Sequence, residues 1–215
     1  MKLYAYEHCP YCVRARMIFG LKNLPVEVII IDNDDENTPV GLVGKKVVPI
    51  LIKEDGTAMP ESLDIVRYVD THYGNPIIKE TVRSEVEAWV TKLAKVYNYL
   101  LLPRFVKLGL AEFQQQSAID YFVNKKTESI GDFAQNLANS DEYITQVQSL
   151  LSELAGLIKS DSALSGELSL EDIMVFPMLR NLTCVKHLKF PPDVLSYVKK
   201  MAELSKIDLY FEKAV

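Results

Sequence analysis

The first roughly seventy residues alternate short apolar runs with amphipathic stretches. Leu3 to Tyr6 reads as a short strand, and Val13, Met17 and Leu21 then recur at the spacing of one helix face. Asn23 and Pro25 should stop that helix, because Asn tolerates the left-handed conformation and Pro cannot continue the ladder. Val26 to Ile31 is a nearly continuous run of β-branched residues, the pattern of a buried parallel strand. Asp32 to Glu36 is an acidic turn that a short helix can follow. Val47 to Ile52 reads as a further strand, with Glu54, Asp55 and Gly56 as a hairpin turn. Glu61 and Ser62 open a helix that turns Ile65, Val66 and Val69 inward. The order is β-α-β, a connection, then β-β-α.

Beyond residue 75 nothing alternates with period two. Gly74, Asn75 and Pro76 punctuate the change. Val86, Trp89, Val90, Leu93, Val96, Tyr97, Leu100 and Leu101 form one long helical stripe, which Pro103 should kink or end. A shorter helix is expected near Ile119 to Val123, and a long one from Ile130 to Ile158. Ser169 and Asp172 have the spacing of a capping box, with Leu168 and Ile173 as its hydrophobic staple. A last helix runs from about Val194 to Leu204. The pattern predicts an α/β domain over residues 1–72, a linker at 73–83 and an all-helical domain over 84–215. The long stripe is expected to cover one face of the α/β domain as well as its own bundle.

Composition changes this picture little. Of 215 residues, 48% are apolar and 25% charged, which supports a packed core. A net charge of −5 gives no global attraction to nucleic acid. No run approaches the length of a membrane span, and the first residues lack a signal-peptide pattern. Three cysteines make no disulfide framework, so a reducing, cytoplasmic setting is expected.

Two of the three stand together as Cys9-Pro10-Tyr11-Cys12, after a strand and at the start of a helix. There the helix dipole and free N–H groups favour a thiolate at Cys9. Pro10 suits the first turn, where its missing N–H costs nothing. Cys12 lies one turn on and deeper. Arg14, Arg16 and Lys22 add positive charge on the same helix. An acidic outer thiol above a deeper one is what dithiol exchange requires. Zinc is a rival reading, but the remaining ligand candidates are Cys184, His8, His72 and His187, without metal-site spacing. Two inert core cysteines are another. Cys184, among Leu179, Leu182, Val185 and Leu188, reads as a buried helix cysteine. His8 reads as a solvated loop residue, with an influence on Cys9 as the alternative. Trp89, Tyr97 and Tyr99 read as core or interdomain aromatics.

The Cys-Pro-Tyr-Cys motif resembles the active site of dithiol glutaredoxins. Val48-Pro49 resembles the valine and cis-proline of thioredoxin folds, and Glu61-Ser62 the glutathione-binding pair of glutathione transferases. With the run from Val175 to Thr183, the full chain resembles the bacterial glutaredoxin 2 family. The resemblance implies a thioredoxin-like domain with a mixed four-stranded sheet, carried on a glutathione transferase-like helical body. It implies a glutathione-dependent thiol-disulfide oxidoreductase with Cys9 as nucleophile and Cys12 as resolving thiol. Glutathione would be a co-substrate, with no tightly bound cofactor and no metal. The Val48 backbone would pair with the cysteinyl part of glutathione, beside Pro49. Glu61 would accept its α-ammonium and Ser62 its γ-glutamyl carboxylate, and Tyr11 would pack on the tripeptide. The plain alternatives are an N-cap for Ser62 and a dipole charge for Glu61. Many small glutaredoxins carry a cation just before the motif, and this chain has Tyr6, Glu7 and His8 there. Lys22, Lys45 and Lys46 are the candidates to bind the glycyl carboxylate instead. Tyr97, Leu100 and Arg104 are candidates to wall the site from the helical side.

Expected partners are glutathione and proteins bearing disulfides or glutathionylated cysteines, with no nucleic acid or membrane, for a monomeric chain. A transferase or dehydroascorbate reductase is the first rival function. A non-enzymatic interaction or iron–sulfur module is the second. Cys12 discriminates, since neither a conjugating enzyme nor a scaffold needs a resolving thiol.

Overall fold

The computed structural model describes all 215 residues. Strand β1 (Lys2–Ala5) leads into helix α1 (Pro10–Leu21), then β2 (Glu27–Ile30), α2 (Asn37–Val43), β3 (Ile50–Ile52), β4 (Ala58–Pro60) and α3 (Ser62–His72). The four strands form one sheet in the order β2-β1-β3-β4. β2 runs parallel to β1, while β3 lies antiparallel to both β1 and β4. Helix α4 (Ser84–Phe105) begins the helical part. It is followed by α5 (Gln116–Ile130), α6 (Phe133–Ala138), α7 (Ser140–Ala155), α8 (Leu170–Leu182) and α9 (Pro192–Ser205). This is a thioredoxin-like sheet domain joined to a helical domain. No helix is long and apolar enough to cross a membrane.

Local chemistry accounts for many element ends. Asn23 takes a left-handed φ of 54° just past α1, and Gly56 a φ of 83° in the β3–β4 turn. The Val48–Pro49 peptide is cis. Ser169 and Asp172 form the capping box of α8. The Asp172 carboxylate also accepts from the Leu164 N–H at 2.8 Å and the Tyr197 hydroxyl at 2.8 Å, so one side chain fixes a cap, a loop and α9.

Four expectations need correction. β2 is an edge strand with Val28 exposed, so its apolar run does not mark a strand covered on both sides. Pro103 sits inside the last turn of α4, which stops two residues beyond it at Phe105 rather than at the proline itself. The stretch from Ile130 to Ile158 is two helices: Gly131 (φ 76°) ends α5 and Asp132 caps the start of α6 through the Gln135 N–H, and Asn139 then ends α6 and starts α7. The α/β domain is covered mainly by α8 and α9 packing on α1, while α4 packs mostly on α6 and α7. One continuous core of 43 buried residues runs through both parts, from Leu3 and Val13 to Trp89, Phe176 and Tyr210.

The two parts approach backbone to backbone at Gly20. A Cβ there would lie 1.8 Å from the Ser205 carbonyl oxygen. Only a glycine lets α1 and the end of α9 meet backbone to backbone.

Candidate functional site

Cys9 is the N-cap residue of α1, and Pro10 takes the first helical position. The thiol is half-buried, whereas Cys12 is fully buried beneath it. Both are unbridged. A hydrogen bond from Cys12 is the chief reason that the Cys9 thiol is lowered from 9.0 to about 6. Burial opposes that shift, while His8 and the backbone N–H groups of Tyr11 and Cys12 reinforce it. Burial pushes Cys12 well up, and the Cys9 thiolate adds to this. The Tyr6 N–H donates to Cys12 Sγ at 3.3 Å. The pair is therefore one ionised and one protonated thiol a helical turn apart. Alkylation of the native chain by iodoacetamide should rise with pH and level off above a midpoint near 6. Below that pH the Cys9 thiol is protonated and slow. A midpoint at the ordinary thiol value of ~8.5 would contradict the assignment.

Two clefts meet at Tyr11, Val47 and Val48, and the larger of them contains Cys9. The smaller, about 180 Å³, is lined by Tyr11, Val47, Val48, Pro49, Glu61 and Ser62. Five residues singled out from the sequence thus converge on one space. Neither the N–H nor the C=O of Val48 has a partner within the chain. Ser62 is the first residue of α3, while Glu61 holds the N-cap position without making a side-chain cap bond. A plain N-cap role for Ser62 does not match this geometry. Glu61 has a φ of 73°, a conformation that costs a non-glycine residue about 1–3 kcal/mol. Its exposed carboxylate lies 3.3 Å from Lys45 Nζ. Tyr11 is 54% exposed, and the Arg14 guanidinium stands 4.7 Å over its ring.

The larger cleft, about 930 Å³, lies between the sheet domain and the helical domain. Cys9, Tyr11 and Val48 face Val90, Ala94, Tyr97 and Tyr121 across it. Lys46 lines this cleft, 3.6 Å above the Tyr121 ring and 2.7 Å from the Asn33 carbonyl. Tyr97 lines it too, but Leu100 and Arg104 do not. Arg104 is buried on the Leu100 carbonyl and Ser140, and reaches the carbonyl of Val215.

The structure removes Lys22 from the candidates. Its ammonium is bound by Asp70 at 3.1 Å and by the Asn75 carbonyl at 2.8 Å. It also stands past the far end of α1, about 18 Å along a 12-residue helix from Cys9. His8 is a second correction. It is not a solvated loop residue but 7% exposed, ringed by Tyr6, Phe105, Phe113 and Phe122. Cys184 is buried, and burial pushes its thiol up to about 12.

The sequence reading missed how the helical domain grips the loop before Cys9. Asn181 Nδ2 donates to the His8 carbonyl at 2.7 Å and to the Tyr97 hydroxyl at 2.9 Å. Arg180 donates to the Glu7 carbonyl at 2.8 Å and the Asp208 carbonyl at 2.9 Å, and also bonds the Tyr210 hydroxyl. The signal was present as two adjacent polar residues inside the apolar run of α8.

Comparisons with known proteins cover the whole chain. Residues 85–214 match the family model of the glutaredoxin 2 C-terminal domain. Residues 3–77 match the glutathione S-transferase N-terminal domain. Glutaredoxin 2 of Escherichia coli K12 is 48% identical over 215 residues, all of both chains. The crystal structure of glutaredoxin 2 from Salmonella typhimurium in complex with glutathione superposes with a TM-score of 0.98 at 46% identity. It covers 100% of this chain and 98% of that one. A Chlamydomonas reinhardtii dehydroascorbate reductase shares the fold alone, at 19% identity, a TM-score of 0.54 and coverage of 99% of this chain and 94% of that one. By full-length identity and by the family model that spans its helical domain, the chain belongs to the glutaredoxin 2 family.

Proposed function

We propose that Cys9 is the nucleophile and Cys12 the resolving thiol of a glutathione-dependent thiol-disulfide oxidoreductase. The observation that carries this reading is the pair itself: a half-exposed, acidified thiol at a helix start, directly above a buried protonated one. The Cys9 thiolate attacks one sulfur of a disulfide, and the other sulfur leaves as a thiolate that takes a proton from water. With a glutathionylated substrate, Cys9 takes the glutathionyl sulfur, and a second glutathione removes it as glutathione disulfide. With a protein disulfide, Cys12 loses its proton and attacks the Cys9 sulfur, freeing the reduced target. Two glutathiones then return the Cys9–Cys12 disulfide to two thiols.

The small cleft suits the γ-glutamyl end of glutathione. Ser62 and the N-terminus of α3 face its carboxylate, Glu61 its ammonium, and the free Val48 backbone its cysteinyl amide groups. Of the two lysine candidates that remain, Lys46 is the better placed for the glycyl carboxylate, since it lines the larger cleft beside Val47 and Val48, which also line the small one. The larger cleft leaves room for the target chain. Disulfide-bearing and glutathionylated proteins in a reducing compartment are the substrates this chemistry fits.

The test is glutathione-dependent reduction of a small mixed disulfide. The wild type should turn it over, and Cys9→Ser should fall to background. Activity confined to conjugating glutathione to electrophiles would make the chain a transferase instead. Glu61→Ala should raise the apparent KM for glutathione roughly tenfold, the low end for a charged contact because the side chain is well exposed. Glu61→Gly should show the same KM but unfold no earlier than wild type, since glycine tolerates the positive φ. An unchanged KM in both would leave Glu61 as a helix-dipole charge only.

A further inference from the structure

The helical domain places one carboxylate against the residue that precedes Cys9. Glu112 lies in a short 3-10 turn, Ala111–Phe113, and is 0% exposed. One of its oxygens, Oε1, accepts the His8 backbone N–H at 2.9 Å and lies 2.6 Å from His8 Nδ1. The other, Oε2, is buried with no partner. The Glu112 carbonyl accepts the Asn33 N–H at 3.0 Å, which ties the same turn to the loop after β2. The His8 carbonyl is held by Asn181 at 2.7 Å. His8 is thus fixed at its N–H, its carbonyl and its ring by residues more than a hundred positions away.

A buried carboxylate with an unpaired oxygen is costly unless a positive charge faces it. The aromatic rings around His8 supply none. The imidazole bonded to Oε1 is the group that can. His8 immediately precedes Cys9 in the chain, and its electrostatic effect there favours the Cys9 thiolate. The carboxylate acts on Cys12 in the opposite sense and disfavours a second thiolate. The two charges together separate the roles of the thiols.

We propose that Glu112 is a positioning residue for thiol exchange, which orients and charge-pairs His8 so that the helical domain sets the acidity of the nucleophile. The proposal rests on Cys9 being that nucleophile. It gives the helical domain a chemical part in the reaction beyond covering the sheet domain.

Other groups facing Cys9 have to be kept constant. They are Cys12 and Arg14 on α1, Tyr6 at the end of β1 and Tyr97 on α4. From α8, Arg180 reaches Glu7 rather than the sulfur. Lys46, Lys125, Lys126 and Glu36 line the wider cleft. Cys12 itself feels the Glu112 carboxylate, so His8→Phe, which leaves Glu112 in place, isolates the part that runs through His8.

The experiment uses the full-length reduced chain and reads the Cys9 thiolate by absorbance at 240 nm and by iodoacetamide alkylation against pH. Glu112→Gln keeps the shape and removes the charge. Its midpoint should rise by about one unit or more, the range for losing a nearby opposite charge. Activity should therefore drop about tenfold or more below the wild-type midpoint and recover at high pH. Glu112→Asp should restore part of the shift. His8→Phe, which fills the same aromatic pocket, should reproduce it, and it serves if Glu112→Gln does not fold. Overlaid profiles for wild type and both variants would overturn the proposal. A loss of activity equal at every pH, with the midpoint unmoved, would overturn it too, since that is a purely structural effect. A wild-type midpoint near the ordinary thiol value would instead remove the nucleophile reading on which it rests.

Discussion

Cys12→Ser is expected to lose the reduction of protein disulfides while keeping the reduction of glutathionylated substrates, and Cys9→Ser is expected to lose both. The difference follows from where each sulfur sits. Cys9 is half-exposed at the start of α1, so an incoming sulfur can reach it. Cys12 is fully buried one turn below and is reached only by what is already bonded to Cys9. Once Cys9 is in a mixed disulfide, its negative charge is gone. Cys12 then loses a main cause of its raised pKa and keeps the hydrogen bond from the Tyr6 N–H that stabilises a thiolate. Its attack is intramolecular, with an effective concentration far above that of free glutathione. Turnover of a protein disulfide by Cys12→Ser should therefore fall at least about a hundredfold, because external glutathione must do the resolving. Turnover of a glutathionylated peptide should stay close to wild type. The check is to run both substrates side by side on the two variants and to trap the mixed disulfide by mass spectrometry. Full activity of Cys12→Ser on the protein disulfide would remove the resolving role.

Gly20→Ala should be among the most damaging single-methyl changes available in this chain. Within a helix, glycine to alanine normally stabilises by roughly 0.5–1 kcal/mol. Here the added Cβ meets backbone atoms that cannot rotate away, with Ser205 oxygen at 1.8 Å, its carbonyl carbon at 2.3 Å and its Cα at 2.9 Å. Helix α1 and the end of α9 must separate, which opens the core shared by α1, α8 and α9. A loss of more than about 3 kcal/mol is expected, which is large against a typical total of ~5–15 kcal/mol. At about 2–4 °C per kcal/mol for a chain of this size, the midpoint of thermal unfolding should drop by roughly 10 °C. Because α1 carries Cys9 and Cys12, its displacement should also slow catalysis in the molecules that remain folded. A midpoint within a degree or two of wild type would show that the two helices can move apart at little cost. The same contact predicts that residues 1–75 alone will be poorly stable, since the fragment exposes the α1 surface that α8 and α9 cover.

The sequence by itself determined what is local. A strand followed by Cys-Pro-Tyr-Cys and a helical stripe placed Cys9 at a helix start, because proline and the cap position leave few other conformations. Gly56 marked the hairpin, Asn23 the end of α1, and Ser169 with Asp172 the start of α8, each through backbone preferences that act within a few residues. The convergence of Tyr11, Val48, Pro49, Glu61 and Ser62 was legible through family resemblance rather than periodicity, since these positions are scattered over fifty residues. Tertiary structure decided what depends on distant partners. A β-branched run reads the same at a sheet edge as in its centre, so β2 looked buried and is not. Lys22 looked free until Asp70 and Asn75 closed over it. A loop histidine looks solvated until an α-helical domain arriving a hundred residues later surrounds it with aromatic rings and a carboxylate. Burial and pairing are set by which surfaces the chain brings together across long separations, and hydrophobic spacing along one element carries no record of the element that will pack against it.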